Sequence, residues 1–436
     1  MAGITGLNNL GNTCYLNSII QCLSNCESFR NYLLSDEFLK LLTSFKVKNN
    51  TNIKNLLIYQ FYRLIKKIWL SNSNELEPIS FKKLLGEKYS IFNNYDQNDS
   101  QEVLITLLSK FSEEVNIKIN LESNKCNIDT INEISEYDDQ KLLKYLQDKN
   151  NIINYSFLKI KQIYDKEYSV INKLFGGFIL YEIICPNTNN ISYNIEPYNM
   201  LSIEITLDEV NSDDEVNSDD EVNSDDEVNS EDEVNSEDEV NSEDEVNSED
   251  DIFINSYEKD DTNYSIDRLK KYNILNIIDK YNKVDKVNLT DCLDNFFSKE
   301  KLNNDNMWYS PFCNEKVVPI RKIYLWSAPQ ILIIHLKRFN FIKNFNKINS
   351  FVDFPLTNLD ITKYIHNKNI NNKTYLYDLF AINNHINFGM GNCGHYYSYC
   401  KNNDIWYNYN DENVNKIDDE NILTNKAYIL FYKLKV

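Results

Sequence analysis

Two residues able to act as nucleophile and base, Cys14 and His395, lie almost at opposite ends of a 436-residue chain. Each is reached through glycines. The chain has only 9, and six of them fall in Gly3–Gly11 and Gly389–Gly394. In a sequence that otherwise avoids glycine, such clusters mark places where the backbone turns sharply or closely approaches something. One leads into the thiol and the other into the imidazole. A thiol beside an imidazole suits acyl transfer through a covalent intermediate.

The nucleophile segment, Gly6-Leu-Asn-Asn-Leu-Gly-Asn-Thr-Cys-Tyr-Leu-Asn-Ser-Ile-Ile-Gln-Cys-Leu23, reads as a loop entering a helix. Leu16, Ile19, Ile20 and Leu23 share one helical face, and Asn12 or Thr13 can cap the helix. Cys14 then sits in the first turn, where free N–H groups and the dipole favour a thiolate. Amides and the Asn8 and Asn9 side chains lie close enough to steady an oxyanion. Cys22 and Cys26, further along, read as small buried hydrophobes.

His395 opens a strand ending at Cys400, and Ile405–Asn410 reads as a second strand. With Asn402-Asn403 as a two-residue turn, Cys400 pairs with Ile405 and His395 with Asn410. Asn410 could then hold the imidazole in the tautomer a base needs. A one-residue shift would bring up Tyr409 or Asp411, and Asp411 is the charged reserve. His335, within an apolar run, reads as structural and His366 as exposed.

The elements that must carry these residues divide along the chain. Ile53–Leu70 and Asp99–Ile117 show helical periodicity. From Phe175 onward, short runs such as Phe178–Ile184, Ile331–Leu336 and Tyr428–Tyr432 read as strands. The fold class expected is α+β. Glu-Val-Asn-Ser recurs every six residues, seven times, from Glu209 to Ser248. With one valine against three acids per repeat, 207–262 reads as a disordered acidic insertion. Asp208–Asp251 holds 23 acidic residues and no Lys or Arg; taking those charges away turns the net −21 into +2. No basic block suggests nucleic acid, and no apolar run suggests a membrane span. The 9 cysteines form no CxxC pair and follow no secretory leader. An intracellular setting, cytoplasmic or nuclear and not secreted, is expected.

The motifs resemble those of the ubiquitin-specific proteases, a family of papain-like cysteine proteases. The cysteine box matches over Gly6-Leu7-x-Asn9-Leu10-Gly11-Asn12-Thr13-Cys14-Tyr15-x-Asn17-Ser18-x-x-Gln21-x-Leu23, and the histidine box over Gly394-His395-Tyr396-x-x-Tyr399 with Trp406-Tyr407-x-Tyr409-Asn410-Asp411. Gln97-Asn98-Asp99-Ser100-Gln101-Glu102, Leu336-Lys337-Arg338-Phe339, Phe354-Pro355-Leu356, His385 and Ala427–Tyr432 follow in order. The resemblance implies a catalytic domain over the whole chain, interrupted by the acidic insertion. A helical thumb would span 1–170, β fingers and connector 175–206 and 285–325, and a β-rich palm 326–436.

It also implies cleavage after the C-terminal glycine of ubiquitin. Cys14, His395, Asn410 and Asp411 would serve as catalytic residues and Asn9 as oxyanion donor. Gln97, Asp99, Glu102, His385 and Tyr396 would contact substrate. Asp99 and Glu102 could pair with arginines of the ubiquitin tail, or form a capping box. The partners implied are ubiquitin and ubiquitinated proteins, with the enzyme monomeric and without cofactor. Family fingers often hold zinc through two CxxC pairs. Here the positions read Cys185-Pro-Asn-Thr188 and Ser310-Pro-Phe-Cys313. Two thiols are too few for a closed structural site, so no zinc is expected, with Trp308 and Phe312 packing in its place.

Overall fold

The structure, a computed structural model, describes residues 2–49, 52–122, 126–206, 286–339, 347–366, 373–387 and 394–435. The expectation of disorder over 207–262 concerns residues outside this set.

The helices gather in the N-terminal part: α1 (Cys14–Ser24), α2 (Glu27–Leu33), α3 (Asp36–Asn49), α4 (Leu57–Leu70), α5 (Ile79–Lys88), α6 (Ser100–Glu114), α7 (Ile128–Ser135), α8 (Asp139–Tyr145), α9 (Ile152–Tyr164) and α10 (Val170–Phe175). In α4 the buried residues Leu57, Ile58, Phe61, Leu64, Ile65 and Ile68 recur at three- and four-residue spacing, the period of one helical face. Phe61 stacks 5.9 Å from Phe29 of α2 and 5.1 Å from Phe111 of α6. Each fully buried side chain of this kind contributes roughly 1.5–3 kcal/mol. α1 is buried along its whole length, because helices pack on one side of it and a sheet on the other. Its polar residues face out of neither. They are matched instead to partners in other elements.

The strands are β1 (Gly6–Leu7), β2 (Glu75–Leu76), β3 (Gly177–Ile184), β4 (Ile191–Tyr198), β5 (Leu201–Glu204), β6 (Lys286–Asn288), β7 (Glu300–Lys301), β8 (Trp308–Ser310), β9 (Glu315–Val317), β10 (Ile320–Ser327), β11 (Ile331–Lys337), β12 (Phe351–Asp353), β13 (Leu359–Asp360), β14 (Leu376–Asn387), β15 (Gly394–Asn402), β16 (Ile405–Asn410), β17 (Asn413–Lys416) and β18 (Ala427–Leu434). Among the described residues one further helix, α11 (Leu289–Phe296), lies between these strands. The large sheet runs β17-β16-β15-β14-β18-β11-β5, with β13 alongside β14. Only the β11–β5 pair within it is parallel.

Both faces of this sheet are covered. Ile331 and Ile333 of β11 join the core shared with α1, α4 and α6, while Leu332, Ile334 and Leu336 join a second core with α11. Alternate residues on a strand point to opposite faces. A strand covered on both sides therefore reads as a continuous apolar run, as Ile331–Ile334 does. A second, four-stranded sheet, β4-β3-β10-β7, and the β8–β9 hairpin lie in the segments expected to form the fingers. There Trp308 and Phe312 meet edge to face at 6.3 Å.

Candidate active site

Cys14 is the first residue of α1 and is 4% exposed. The preceding loop is closed by Asn9, whose Oδ1 accepts from the backbone N–H groups of Gly11 and Thr13, each at 3.0 Å. Thr13 stands at the N-cap position, but its hydroxyl accepts from Leu10 N–H at 2.9 Å and caps nothing in the helix. Polar residues on α1 then fasten it to its surroundings. Asn17 Nδ2 donates to the Leu7 carbonyl at 3.1 Å, Gln21 Nε2 to the Thr5 carbonyl at 2.9 Å, and Ser18 Oγ accepts from Asn383 of β14 at 2.8 Å.

His395 lies on β15, directly after Gly394. The side chain of Gln97 binds both polar groups of Gly394: its Oε1 accepts from the N–H at 2.7 Å and its Nε2 donates to the carbonyl at 3.0 Å. A Cβ at position 394 would stand 2.2 Å from His385 Nε2, closer than atoms pack. The glycine therefore lets β15 approach β14. Gly394→Ala is expected to destabilise the protein by about 1–3 kcal/mol, read as a lower denaturation midpoint at unchanged m-value. A wild-type midpoint would contradict this packing.

The imidazole of His395 reaches in two directions. Nε2 is 2.6 Å from Asn410 Oδ1. An amide oxygen only accepts, so Nε2 carries the proton, and the ring's other nitrogen is left for the thiol. A hydrogen bond with Cys14 does most to raise the His395 pKa, to about 9, against the opposing effect of burial. The bond to Asn410 and the charges of Cys14 and Asp411 add to it. The ring thus keeps its proton well above neutral pH.

The register that brings Asn410 to His395 differs from the one expected. The turn is Asn403-Asp404, both at positive φ (49° and 61°), and not Asn402-Asn403. Asn402 pairs with Ile405, Cys400 with Tyr407 and Ser398 with Tyr409. Two left-handed residues make the turn that best matches strand twist, and Asn and Asp tolerate that conformation. The change amounts to two residues, so each side chain stays on its expected face. Asn410 reaches His395 diagonally, beyond the end of the paired strands. Such diagonals lie within reach of aromatic and long side chains, and here the His395 ring spans the gap.

Asp411 is not a second partner of the imidazole. Its Oδ2 accepts from Asn9 Nδ2 at 2.9 Å and its Oδ1 from Asn17 Nδ2 at 2.8 Å. Its carbonyl accepts from Leu7 N–H at 2.8 Å. Asp411 joins the loop before Cys14 to the β16–β17 turn, and reaches His395 only through its charge. Asn17, a residue of the cysteine box for which the sequence suggested no role of its own, completes this clasp.

The other expected contact residues fall into two groups. Glu102 is exposed on the first turn of α6. Asp99 is the α6 N-cap, accepting from Gln101 N–H at 2.7 Å, and also accepts from the Tyr428 hydroxyl at 2.8 Å. Burial pushes its carboxyl above the ordinary range. His385 and Tyr396 are buried, with ring centroids 4.5 Å apart. Burial holds the His385 pKa down to about 3, with the nearby charges of Lys347 and His395 adding to it. Of the remaining histidines, His335 is buried against Ser202 Oγ at 3.1 Å. His366, expected to be exposed, is partly buried with its ring 5.0 Å from Tyr324 and 5.6 Å from Trp326.

In the fingers, the sulfurs of Cys185 and Cys313 lie 3.7 Å apart. The hydroxyls of Ser310 and Thr188 hydrogen-bond to Cys185. Two sulfurs with two neutral hydroxyls do not fit zinc, whose closed sites take four Cys or His ligands. Among the described residues, no group of three or more His, Cys, Asp or Glu could hold a metal ion.

The family described as "Ubiquitin carboxyl-terminal hydrolase" matches residues 5–432. A "Probable ubiquitin carboxyl-terminal hydrolase R319" of Acanthamoeba polyphaga mimivirus is 26% identical, over 99% of this chain and 90% of that protein. The human "Ubiquitin carboxyl-terminal hydrolase 2" is 27% identical over 99% of this chain but only 55% of its own length. Among solved structures, a chain of the "SAGA Ubp8/Sgf11/Sus1/Sgf73 DUB module bound to ubiquitin aldehyde" matches with a TM-score of 0.58 and 19% identity, covering 100% of this chain and 70% of that one. That likeness places the fold among the α+β papain-like catalytic domains with thumb, palm and fingers. With a family match spanning nearly its whole length, the chain belongs to the ubiquitin carboxyl-terminal hydrolase family of cysteine-type deubiquitinases, the ubiquitin-specific proteases.

Proposed function

We propose that Cys14, His395 and Asn410 hydrolyse the peptide or isopeptide bond after the C-terminal glycine of ubiquitin, with Asn9 as oxyanion donor. The observation that carries this reading is the chain of contacts from the Cys14 thiol through His395 to Asn410 Oδ1. The thiol proton passes to the ring nitrogen facing Cys14. The sulfur attacks the glycine carbonyl, and the oxyanion gathers donors from the loop before α1. Asn9 Nδ2 spends one hydrogen on Asp411, which leaves its second for that oxygen. The leaving amine takes the proton from His395. Water, giving a proton to the same ring, then frees the acyl group. With Cys14 4% exposed, a slender glycine-ended tail suits the approach better than a bulky one. Glu102, the more open carboxylate, would meet basic residues of the tail, with Asp99 behind it.

The lack of a basic block supports an enzyme that binds no nucleic acid; we propose that it acts as a monomer and off the membrane. Among the described residues no helix is long and apolar enough to cross a membrane. The free described cysteines fit a reducing compartment, cytoplasmic or nuclear.

The test is labelling by ubiquitin carrying a C-terminal electrophile. One adduct, on Cys14 and absent from Cys14→Ala, is expected. Labelling confined to a probe made from another modifier would redirect the substrate. Asn410→Ala is expected to lower kcat about 10²-fold with little change in KM, because the ring loses its orienter and not its substrate contacts. An unchanged kcat would remove Asn410 from the mechanism.

A further inference from the structure

Two turns in the fingers are built alike. In Cys185–Asn189, the Asn189 N–H donates to the Cys185 carbonyl at 2.8 Å and Asn189 has φ 59°. In Ser310–Asn314, the Asn314 N–H donates to the Ser310 carbonyl at 2.9 Å and Asn314 has φ 57°. Asparagine tolerates this left-handed conformation, so both turns close tightly. They bring two sulfurs, 128 residues apart in sequence, to van der Waals contact at 3.7 Å.

The surroundings of the two sulfurs favour reaction. Asn187 Nδ2 approaches Cys313 Sγ at 3.9 Å. Burial pushes the Cys185 thiol up, but hydrogen bonds from Ser310, Thr188 and the backbone of Thr188 and Asn187 outweigh it and bring it down to about 7. Donors around a sulfur stabilise the thiolate. Cys185 is buried while Cys313 is partly exposed. The core pair Cys22 and Cys400 offers the contrast. Both are fully buried, and burial holds the Cys22 thiol well above its ordinary range.

We propose that Cys185 and Cys313 form a reversible disulfide that fastens the two finger turns, with a hydroperoxide as the oxidant. The exposed Cys313 sulfur attacks the peroxide, forming an S–O bond as the O–O bond breaks and hydroxide leaves. The Cys185 sulfur then attacks the Cys313 sulfenic acid. The S–S bond forms, the S–O bond breaks, and a second hydroxide leaves. The two thiol protons turn both hydroxides into water, so the thiols lose two electrons and the peroxide gains them. Forming the bond brings the sulfurs from 3.7 Å to about 2.05 Å. Glutathione reverses the bond by thiol exchange.

The test uses the full chain with Cys14→Ala, so that the active-site thiol takes no part. Reduced protein is treated with hydrogen peroxide, its remaining thiols are alkylated, and its peptides are mapped by mass spectrometry. A cross-linked pair joining Cys185 to Cys313 is expected, removed by glutathione, with Cys22 and Cys400 unlinked throughout. Amide exchange over β8 and β9 should slow about tenfold or more in the oxidised form. Both readouts are made without ubiquitin and on the parent chain, so neither depends on the proposed substrate or on the folding of a further variant. Oxidation of Cys313 to sulfinic acid with Cys185 still free would overturn the proposal. So would one zinc per chain that both Cys185→Ser and Cys313→Ser lose.

Discussion

Cys14→Ala is expected to reduce hydrolysis of a ubiquitin C-terminal amide by at least about 10⁴-fold, because the proposed acyl intermediate forms on the Cys14 sulfur. The same substitution should move a second quantity that simple loss of a nucleophile would not. The largest cause holding the His395 pKa near 9 is its contact with Cys14, with burial opposing. Without the sulfur, Asn410 and Asp411 remain and burial gains ground, so the ring should titrate markedly lower. The sign in the intact enzyme follows. His395 keeps its proton through neutral pH. kcat/KM should therefore be flat near neutrality and fall as pH rises through about 9. An imidazole that is neutral at rest would instead give a limb rising near its ordinary value of about 6.5. NMR titration of the His395 ring in both proteins, with a pH profile of the active one, decides. An unchanged His395 titration in Cys14→Ala would separate the two residues.

The positions of Cys14 and His395 were legible because glycines bracket them in a chain that otherwise avoids glycine. The physical reason differs between the two clusters. Gly394 makes room for His385, while a Cβ at Gly6 would stand 2.0 Å from the Glu412 carbonyl oxygen. Asn410 was identified although the register was off by two, since side chains alternate with period two and an even slip keeps the face. The roles of Gln97 and Asp411 were harder to see. Both act on residues distant in sequence: Gln97 on Gly394, 297 positions away, and Asp411 on Asn17, 394 away. Spacing along a chain carries no record of such contacts. The fingers were legible in what they lack, through the half-kept cysteine pairs. That the surviving sulfurs would touch needed the two turns in place.

Asp411→Asn is expected to lower kcat about 10²-fold while leaving KM within a few fold, and the loss should run through Asn9. The carboxylate offers two acceptors to two amide donors, Asn9 Nδ2 and Asn17 Nδ2. An amide offers one acceptor and turns a donor toward the other partner, so one of the two bonds becomes donor against donor. Asparagine is the right probe because position 411 has φ 48°, where alanine would add backbone strain of its own. If Asn9 is the oxyanion donor, its truncation alone should cost about 10²–10³ in kcat. With Asn9 already gone, removing the residue that aims it should cost little more. Kinetics of Asn9→Ala, Asp411→Asn and the double variant therefore form a cycle with a stated outcome. Strong non-additivity in kcat identifies Asp411 as the positioning residue for Asn9. Additive losses would mean that Asp411 acts on the His395 charge or on the fold alone, and the His395 titration would tell these apart, since only the first moves it.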